Sequence, residues 1–554
     1  MRYKLNIIGF LLIILIMSQC TSTPESEKTK VDLILKNATV YTVDSVFSVA
    51  DFIAVSDGKI VAVGKENDLS GLFESDKVID LDGAFVYPGF NDAHCHFYSY
   101  GYGLENRVDL EGTKSFDEIL ERLSEYHKTH NYPYIEGRGW DQNDWENKNF
   151  PDNKKLDEMF PDIPVVLVRI DGHAALVNSE ALKKAGINEK TIIKGGKVEV
   201  KNGHTTGILI DMAVDEIMKI LPKPTDEQMQ NAYVIAQKNC VAAGLTSVTD
   251  AGMGLDTIRM AQKLIEENKL KIRINAMLNP TEENFQAFMY KGVYETDLLT
   301  VRSVKLYADG ALGSRGALLL ETYSDDPGNK GILVSSEEYL YKISEMAFEH
   351  NYQVCTHAIG DGAVRLMLTV YSEFLHGKND LRWRIEHAQV VHPDDFKLFA
   401  ANSIIPSVQA THATSDMYWA KDRIGLDRLK GAYAYKQLLN QNGWLPNGTD
   451  FPIEKISPLL TFYAAVFRTD VSGFPEGGFQ KENALNRREA LKSITFWPAM
   501  ASFEENKKGT IEPGKFADFT ILDTDLLKAD KGEIIRANVL KTIINGEIIY
   551  NYEK

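Results

Sequence analysis

Positive charge is in short supply: Lys and Arg number 61 against 78 Asp and Glu, a formal net charge of −17. An extended phosphate-binding surface needs clustered positive charge, so nucleic acid is not an expected partner. Cysteine is scarcer still. Only Cys20, Cys95, Cys240 and Cys355 occur. With Cys20 assigned to processing, an odd, scattered set remains, which excludes a disulfide framework even in an oxidising compartment. The 18 prolines are few beside 40 glycines, which excludes collagenous and proline-rich disordered classes. No segment repeats at a fixed period, so solenoids and propellers are excluded as well. What is present, 44% hydrophobic and 25% charged residues, suits a globular chain with a large core. At about 150 residues per domain the length implies three or four units, or one large barrel with additions, and the barrel is the favoured reading.

Long hydrophobic runs are also missing. The apolar stretch at residues 7–17 stands behind Arg2 and Lys4, the pattern of an export signal. As a helix it covers roughly 16 Å against a hydrocarbon core of about 30 Å, so it cannot span a bilayer and cleavage is expected. Cys20 follows directly, and residues 21–30 form a polar tether. Residues 1–20 therefore resemble a bacterial lipoprotein signal with Cys20 as the acylated residue, although Gln19 stands where such signals carry a small residue. The expectation is an exported protein, lipid-anchored to a bacterial membrane through Cys20 and touching the membrane nowhere else. Plain secretion and an uncleaved anchor stay open.

From residue 31 onward, short β-branched runs are broken by Asp-Gly turns, and the C-terminal end repeats this style with an Asn-Gly turn. Residues 31–86 and 501–554 are thus expected to form one small discontinuous β-sandwich. Between them, short strand-like runs alternate with helical patterns such as TDEQMQNAYVIAQKNCVAAG and SEEYLYKISEMAFEHN. This α/β order, with AFVYPGFNDAHCH as first strand and GWLPNGTD as eighth, predicts a TIM (β/α)8 barrel over residues 87–500. Its active site would lie at the C-terminal strand ends. Residues 107–221 are too many for one loop and are expected to be an insertion covering the site.

His94 and His96 stand two apart at the end of the first barrel strand, where period 2 turns both inward and Cys95 outward. Alone, an H-x-H is weak. Lys305, His357, His387 and Asp450 join it at the ends of the fourth, fifth, sixth and eighth expected strands. PGFNDAHCH, VKLYADGALGSRGA, THAIGDGA, RIEHAQ and NGTDFPIE resemble the amidohydrolase superfamily, and more narrowly its YtcJ-like members that include N-substituted formamide deformylase. The resemblance runs from about residue 31 to the C-terminus. It implies two divalent metals, one held by His94, His96 and Asp450 and the other by His357 and His387, with a carboxylated Lys305 between them. Two dications about 4 Å apart repel by roughly 16 kcal/mol at an effective dielectric of 20, so anionic bridges are required and a protonated Lys305 would aggravate the repulsion. The donor set suits zinc first, with manganese or iron also possible. The bland alternatives are a Lys305 amine paired with Asp309 or Asp450 at a single metal, buried structural His357 and His387, and Asp450 as a local cap.

The implied chemistry is hydrolysis of a non-peptide amide-type C–N bond, of the N-acyl or N-formyl amine class, by an activated water, with Asp450 as proton acceptor and donor. Superfamily deaminases typically carry a glutamate where this chain has Gly360, followed by Asp361. Five residues are expected to face a small-molecule substrate. Arg315 would bind a carbonyl or carboxylate, or else pair with a loop acid. His173, in the insertion, would face the substrate or else make a structural hydrogen bond, and His412, after the seventh strand, would orient a carbonyl oxygen or be structural. Trp140 and Asp141 would form a lid wall, unless Trp140 is packing. Cys355 reads as a small core residue. A lactonase or esterase, or a deaminase, on the same barrel, and a non-catalytic surface binding lipoprotein, remain rival readings; by resemblance, a homodimer is common.

Overall fold

The structure, a computed structural model, describes residues 28–129 and 133–552. Residues 1–20 with Cys20, residues 21–27 of the tether, and His130 lie outside the described residues.

Seven parallel strands form the central sheet: β1 (Phe90–Cys95), β2 (Leu245–Met253), β3 (Arg273–Leu278), β4 (Leu299–Tyr307), β5 (Gln353–Ala358), β6 (Arg384–His387) and β7 (Ile405–Ser407). Each pairs with its neighbours in chain order, in a nearly closed barrel. They are buried almost throughout instead of alternating, as expected where side chains fill the interior and helices cover the outside. The helical patterns in the sequence become Asp226–Ala242, which starts in a Thr225/Gln228 capping box, and Glu337–Glu349, capped by Ser336.

The eighth strand differs from expectation. Residues 445–450 close the gap between β7 and β1 by a single parallel bridge, Val408 to Asn447, and by isolated hydrogen bonds. Gly448 N–H donates to the Val408 carbonyl (2.9 Å) and Asp450 N–H to the His94 carbonyl (2.8 Å). Pro446 contributes no N–H here, which shortens the ladder. Gly448 is required by close approach, because a Cβ there would lie 2.5 Å from the His94 nitrogen.

Within residues 107–221 a second sheet of six strands is built. Its order runs from Gly196–Lys201 through His204–Asp211, Ala174–Val177, Val165–Arg169 and Ile135–Trp140 to Val108–Asp109. Val165 and Leu167 face one apolar cluster with Trp140 and Leu176, while Val166 and Val168 face another with Val177 and Leu182, the period of 2 expected of a strand covered on both sides.

The two chain ends meet in a third sheet. Phe85–Pro88 pairs with Leu33–Tyr41 on one side and antiparallel to Phe519–Leu522 on the other. Its tight turns carry positive φ at Asp57 and Gly58 (51° and 71°) and at Asn545 and Gly546 (51° and 73°), the conformation that the Asp-Gly and Asn-Gly pairs signal. Arg273 at the base of β3 ties this sheet to the barrel through bonds to Asp518 (2.6 and 2.9 Å) and Asn545 (2.6 Å).

Candidate metal centre and active-site cavity

At the C-terminal end of the barrel a cavity of about 710 Å³ opens, lined by His96, Lys305, His357, His387, His412 and Asp450 together with residues of the insertion. Strand geometry brings them there. On β1, His94 points inward and is fully buried, while His96 sits at the start of the following helix with a quarter of its side chain exposed. On β6, Arg384 and Glu386 share the inward face, and alternation would turn His387 away. A left-handed φ of 71° at His387 breaks the period, and its ring comes to 4.9 Å from that of His94 and 4.6 Å from that of His357. Asp450 is also left-handed (φ 60°). Such non-glycine conformations cost on the order of 1–3 kcal/mol and persist where surroundings impose them.

The donor atoms gather into two sets that share Asp450. His94, His96 and Asp450 form one, and His387, His412 and Asp450 the other, the atoms of each lying within 4.8 Å of one another. Asp450 Oδ1 is 3.3 Å from His96 Nε2 and 3.7 Å from His94 Nε2; its Oδ2 is 3.7 Å from His412 Nε2. His412, expected only to orient a carbonyl, thus stands among candidate ligands. His357 meets His387 edge to face, but its Nε2 is 3.5 Å from the Gly310 carbonyl oxygen. Among the described residues, no well-aligned hydrogen bond reaches buried Asp450 Oδ1 or His412 Nε2, and in so polar a cluster such atoms fit a bound cation.

Electrostatics favours the states that bind metal. Burial, helped by the Lys305 charge, pulls the His94 imidazole down to about 4, and burial pulls His357 and His387 well below their usual range. Burial alone would raise Asp450, but the imidazoles of His96, His94 and His387 overcome it and keep the carboxylate ionised. Lys305 is buried, with Nζ 3.1 Å from His94 Nε2, and burial lowers its pKa. Asp309, one partner considered for it, instead accepts from the backbone N–H groups of Leu318, Ile359 and Gly360 at 2.8–3.0 Å.

Two substrate-facing expectations are corrected. Trp140 does not line the cavity: it is fully buried, donates to the Leu167 carbonyl oxygen (2.8 Å) and packs on Trp145 and Phe150. A long aromatic ending a strand of the insertion is drawn into that sheet's own core. Arg315 is also outside the cavity lining, and its guanidinium is held by Asp325 (3.1 and 2.9 Å). Asp141 does line the cavity, but paired with Arg169. His173 reaches the site as expected, its ring 4.8 Å from that of His357, and its Nδ1 is 2.9 Å from Asp211 Oδ1. Burial opposes charge on His173, but the Asp211 contact raises its pKa.

The deaminase-type carboxylate has no room. A Cβ on Gly360 would lie 2.0 Å from the Leu318 carbonyl oxygen, and Asp361 accepts from the Leu320 N–H (2.9 Å) at the head of its helix. Cys355 packs with Ala251 and Met277 inside the barrel, where burial pushes its thiol up to about 12. Sequence reasoning missed Glu386, which pairs with Arg384 and accepts from His94, and Asp416 and Glu454, which line the cavity. The inward parity of Glu386 with Arg384 was the available signal for the first; loop positions gave none for the others.

Comparison with known proteins agrees with this geometry. Residues 77–550 match the Amidohydrolase family. YtcJ of Bacillus subtilis (strain 168) is 32% identical over 523 residues, 92% of this chain and 98% of its own. The N-substituted formamide deformylase of Arthrobacter pascens is 25% identical over 543 residues, 94% of this chain and 98% of its own. The crystal structure of an uncharacterized metal-dependent hydrolase from Pyrococcus horikoshii superposes with a TM-score of 0.73 at 32% identity, covering 90% of this chain and 99% of that one. A barrel with two imidazole sets around one aspartate, matched over nearly its whole length, places the chain in the amidohydrolase family, hydrolases acting on carbon–nitrogen bonds.

Proposed function

We propose that this enzyme cleaves a non-peptide amide-type C–N bond, of the N-acyl or N-formyl amine class, with water, giving a carboxylic acid and an amine. The observation that carries the reading is Asp450, ionised and shared by two imidazole sets at the cavity floor. His94, His96 and Asp450 would hold one divalent ion. His387 with His357 or His412 would hold the second, and a carboxylated Lys305 would lie between the ions. Buried and depressed in pKa, Lys305 is the kind of amine that reacts with carbon dioxide, and as a carbamate it supplies the anion that two cations require. Zinc suits the donor set first, then manganese or iron. When bound, such ions acidify a water and polarise a carbonyl.

The chain's own residues do the rest. Asp450 takes the proton of the attacking water and returns it to the leaving nitrogen. His173, steadied by Asp211, faces the same space and would donate to the substrate carbonyl oxygen as charge develops there. The insertion carrying His173 and Asp141 walls the cavity, which supports reading residues 107–221 as a cover on the site. The sheet shared by both chain ends supports one discontinuous domain of residues 31–86 and 501–554 beside the barrel. Export with a lipid on Cys20, and a homodimer, are proposed from the sequence and the resemblance alone.

The test is turnover by zinc- or manganese-loaded protein on N-formyl and N-acyl amines, beside lactones and organophosphates. Amide hydrolysis at the highest kcat/KM supports the reading; a lactone or phosphotriester dominating the panel overturns it.

A further inference from the structure

Beyond the metal centre the cavity is acidic. Asp416 and Glu454 both line it, and neither forms an ion pair with a lysine or arginine among the described residues. Lys148, Lys455 and Arg169 also line the cavity, and Arg169 is already engaged, donating to Gln142, Asp171 and Asp141 through all three of its nitrogens. Asp416 accepts only from the neutral Tyr433 hydroxyl (2.8 Å) and the Gln389 amide (3.2 Å), and Glu454 from the Ser415 hydroxyl. Two carboxylates within electrostatic reach of each other, neither paired with a lysine or arginine among the described residues, destabilise a ligand-free cavity. Burial pushes Asp416 up to about 7 and raises Glu454 as well.

A second observation points to a ligand independently. Thr411, on the same short helix (Ala410–Asp416), lines the cavity, is 8% exposed, and its buried hydroxyl has no partner among the described residues. Trp419 and Tyr463 line the same cavity, and aromatic faces attract cations. Helix geometry sets the spacing. His412, at the metal centre, and Asp416 are four residues apart on one helix face, so their Cβ atoms are roughly 5–6 Å apart and the two binding points lie a short spacer from each other.

Resting on the hydrolase reading above, we propose that Asp416 and Glu454 form a cation subsite, and that the substrate is an acyl amine bearing a second, positively charged nitrogen a short aliphatic spacer from the scissile carbonyl. The Thr411 hydroxyl is placed to accept from an N–H of the substrate's amide or ammonium group. Acyl amines carrying a carboxylate are correspondingly disfavoured.

Two near-isosteric probes test this on zinc-loaded protein: mono-N-formyl-1,4-diaminobutane, which is cationic, and N-formylpentylamine, which is neutral. The cationic amide is expected to be preferred in kcat/KM by about tenfold or more, with that ratio collapsing toward one in Asp416→Asn/Glu454→Gln. A wild-type ratio near one, or a ratio that survives the double substitution, overturns the proposal, and the wild-type ratio decides even if the variant does not fold. If neither amide is hydrolysed, the hydrolase reading fails, and calorimetry on the same protein still decides the subsite. Tighter binding of the cationic probe upholds it, and equal affinity for both overturns it.

Discussion

His94 donates its Nδ1 proton to Glu386 at 2.5 Å, with both side chains fully buried, and Arg384 Nε closes the other side of that carboxylate at 2.6 Å. Burial would raise the Glu386 carboxyl; the Arg384 guanidinium and the His94 ring overcome it and hold it well below the usual range. The bond fixes the His94 tautomer, leaving the Nε2 lone pair, 3.1 Å from Lys305 Nζ and 3.7 Å from Asp450 Oδ1, as the one a metal can take. Such outer partners are typically worth 10–100-fold in metal affinity.

Glu386→Gln is therefore expected to weaken zinc binding by about 10–100-fold in a chelator competition. It also leaves Arg384 buried without its counter-ion, at about 3–5 kcal/mol of stability, so the thermal midpoint should fall as well. Unchanged zinc affinity would remove Glu386 from the account.

Asp450→Asn keeps the four imidazoles around it but loses the proton carrier. The metal-replete variant is expected to lose about 10²–10⁴ in kcat. Near-normal kcat at full metal occupancy would assign the proton transfer to another group.

Gly448→Ala places a methyl group 2.5 Å from the His94 nitrogen and 2.7 Å from the His94 carbonyl oxygen. Backbone on both sides cannot yield cheaply, so the closing segment must shift, at about 1–3 kcal/mol. A lowered thermal midpoint together with weaker metal binding is the expected pair of results. Wild-type values for both would mean that the 445–450 closure does not position Asp450.

Asp416 links stability to pH. Its folded pKa, raised by burial to about 7, lies above that of an unfolded aspartate near 3.9. The folded state therefore binds more protons, and the contribution of Asp416 is full below about 4 and is lost as the pH rises through about 7. Asp416→Asn removes this titration, so urea unfolding should show the variant gaining on the wild type between pH 4 and 8. A difference that stays flat over that range would contradict the assignment.

The thiols of Cys95, Cys240 and Cys355 are buried, and burial raises the pKa of each. Iodoacetamide should leave all three unmodified in the native protein and label them after unfolding, as peptide mass mapping can show. Native labelling of Cys355 would reopen the question of a nucleophilic thiol.

The barrel and most of the metal-side residues were legible because strand periodicity and the ends of parallel strands leave marks in sequence. His94 and His96 two apart, Lys305 near the end of β4 and His357 near the end of β5 need no tertiary information to be placed. His387 and Asp450 are recognisable in the sequence as strand-end residues, but their left-handed backbone was not visible, and so neither was the way Glu386 stays buried inside the barrel while the next residue, His387, reaches the cavity. Arg315 and Trp140 failed for another reason. Each is satisfied by a partner, Asp325 or the insertion core, whose proximity depends on chain far away or on loop geometry. His412 was placed near the site without the contact to Asp450 that makes it a candidate ligand. Asp416 and Glu454 lie on segments without strand register, where one sequence offers no parity to read.

Anomalous X-ray diffraction from crystals of the zinc-loaded protein tests the central claim most directly. Two peaks, both within bonding distance of Asp450 or of a carbamate on Lys305, and one of them touching His94 and His96, are the predicted result. A single peak beside an unmodified Lys305 amine, or no peak at the His94–His96 pair, would contradict it.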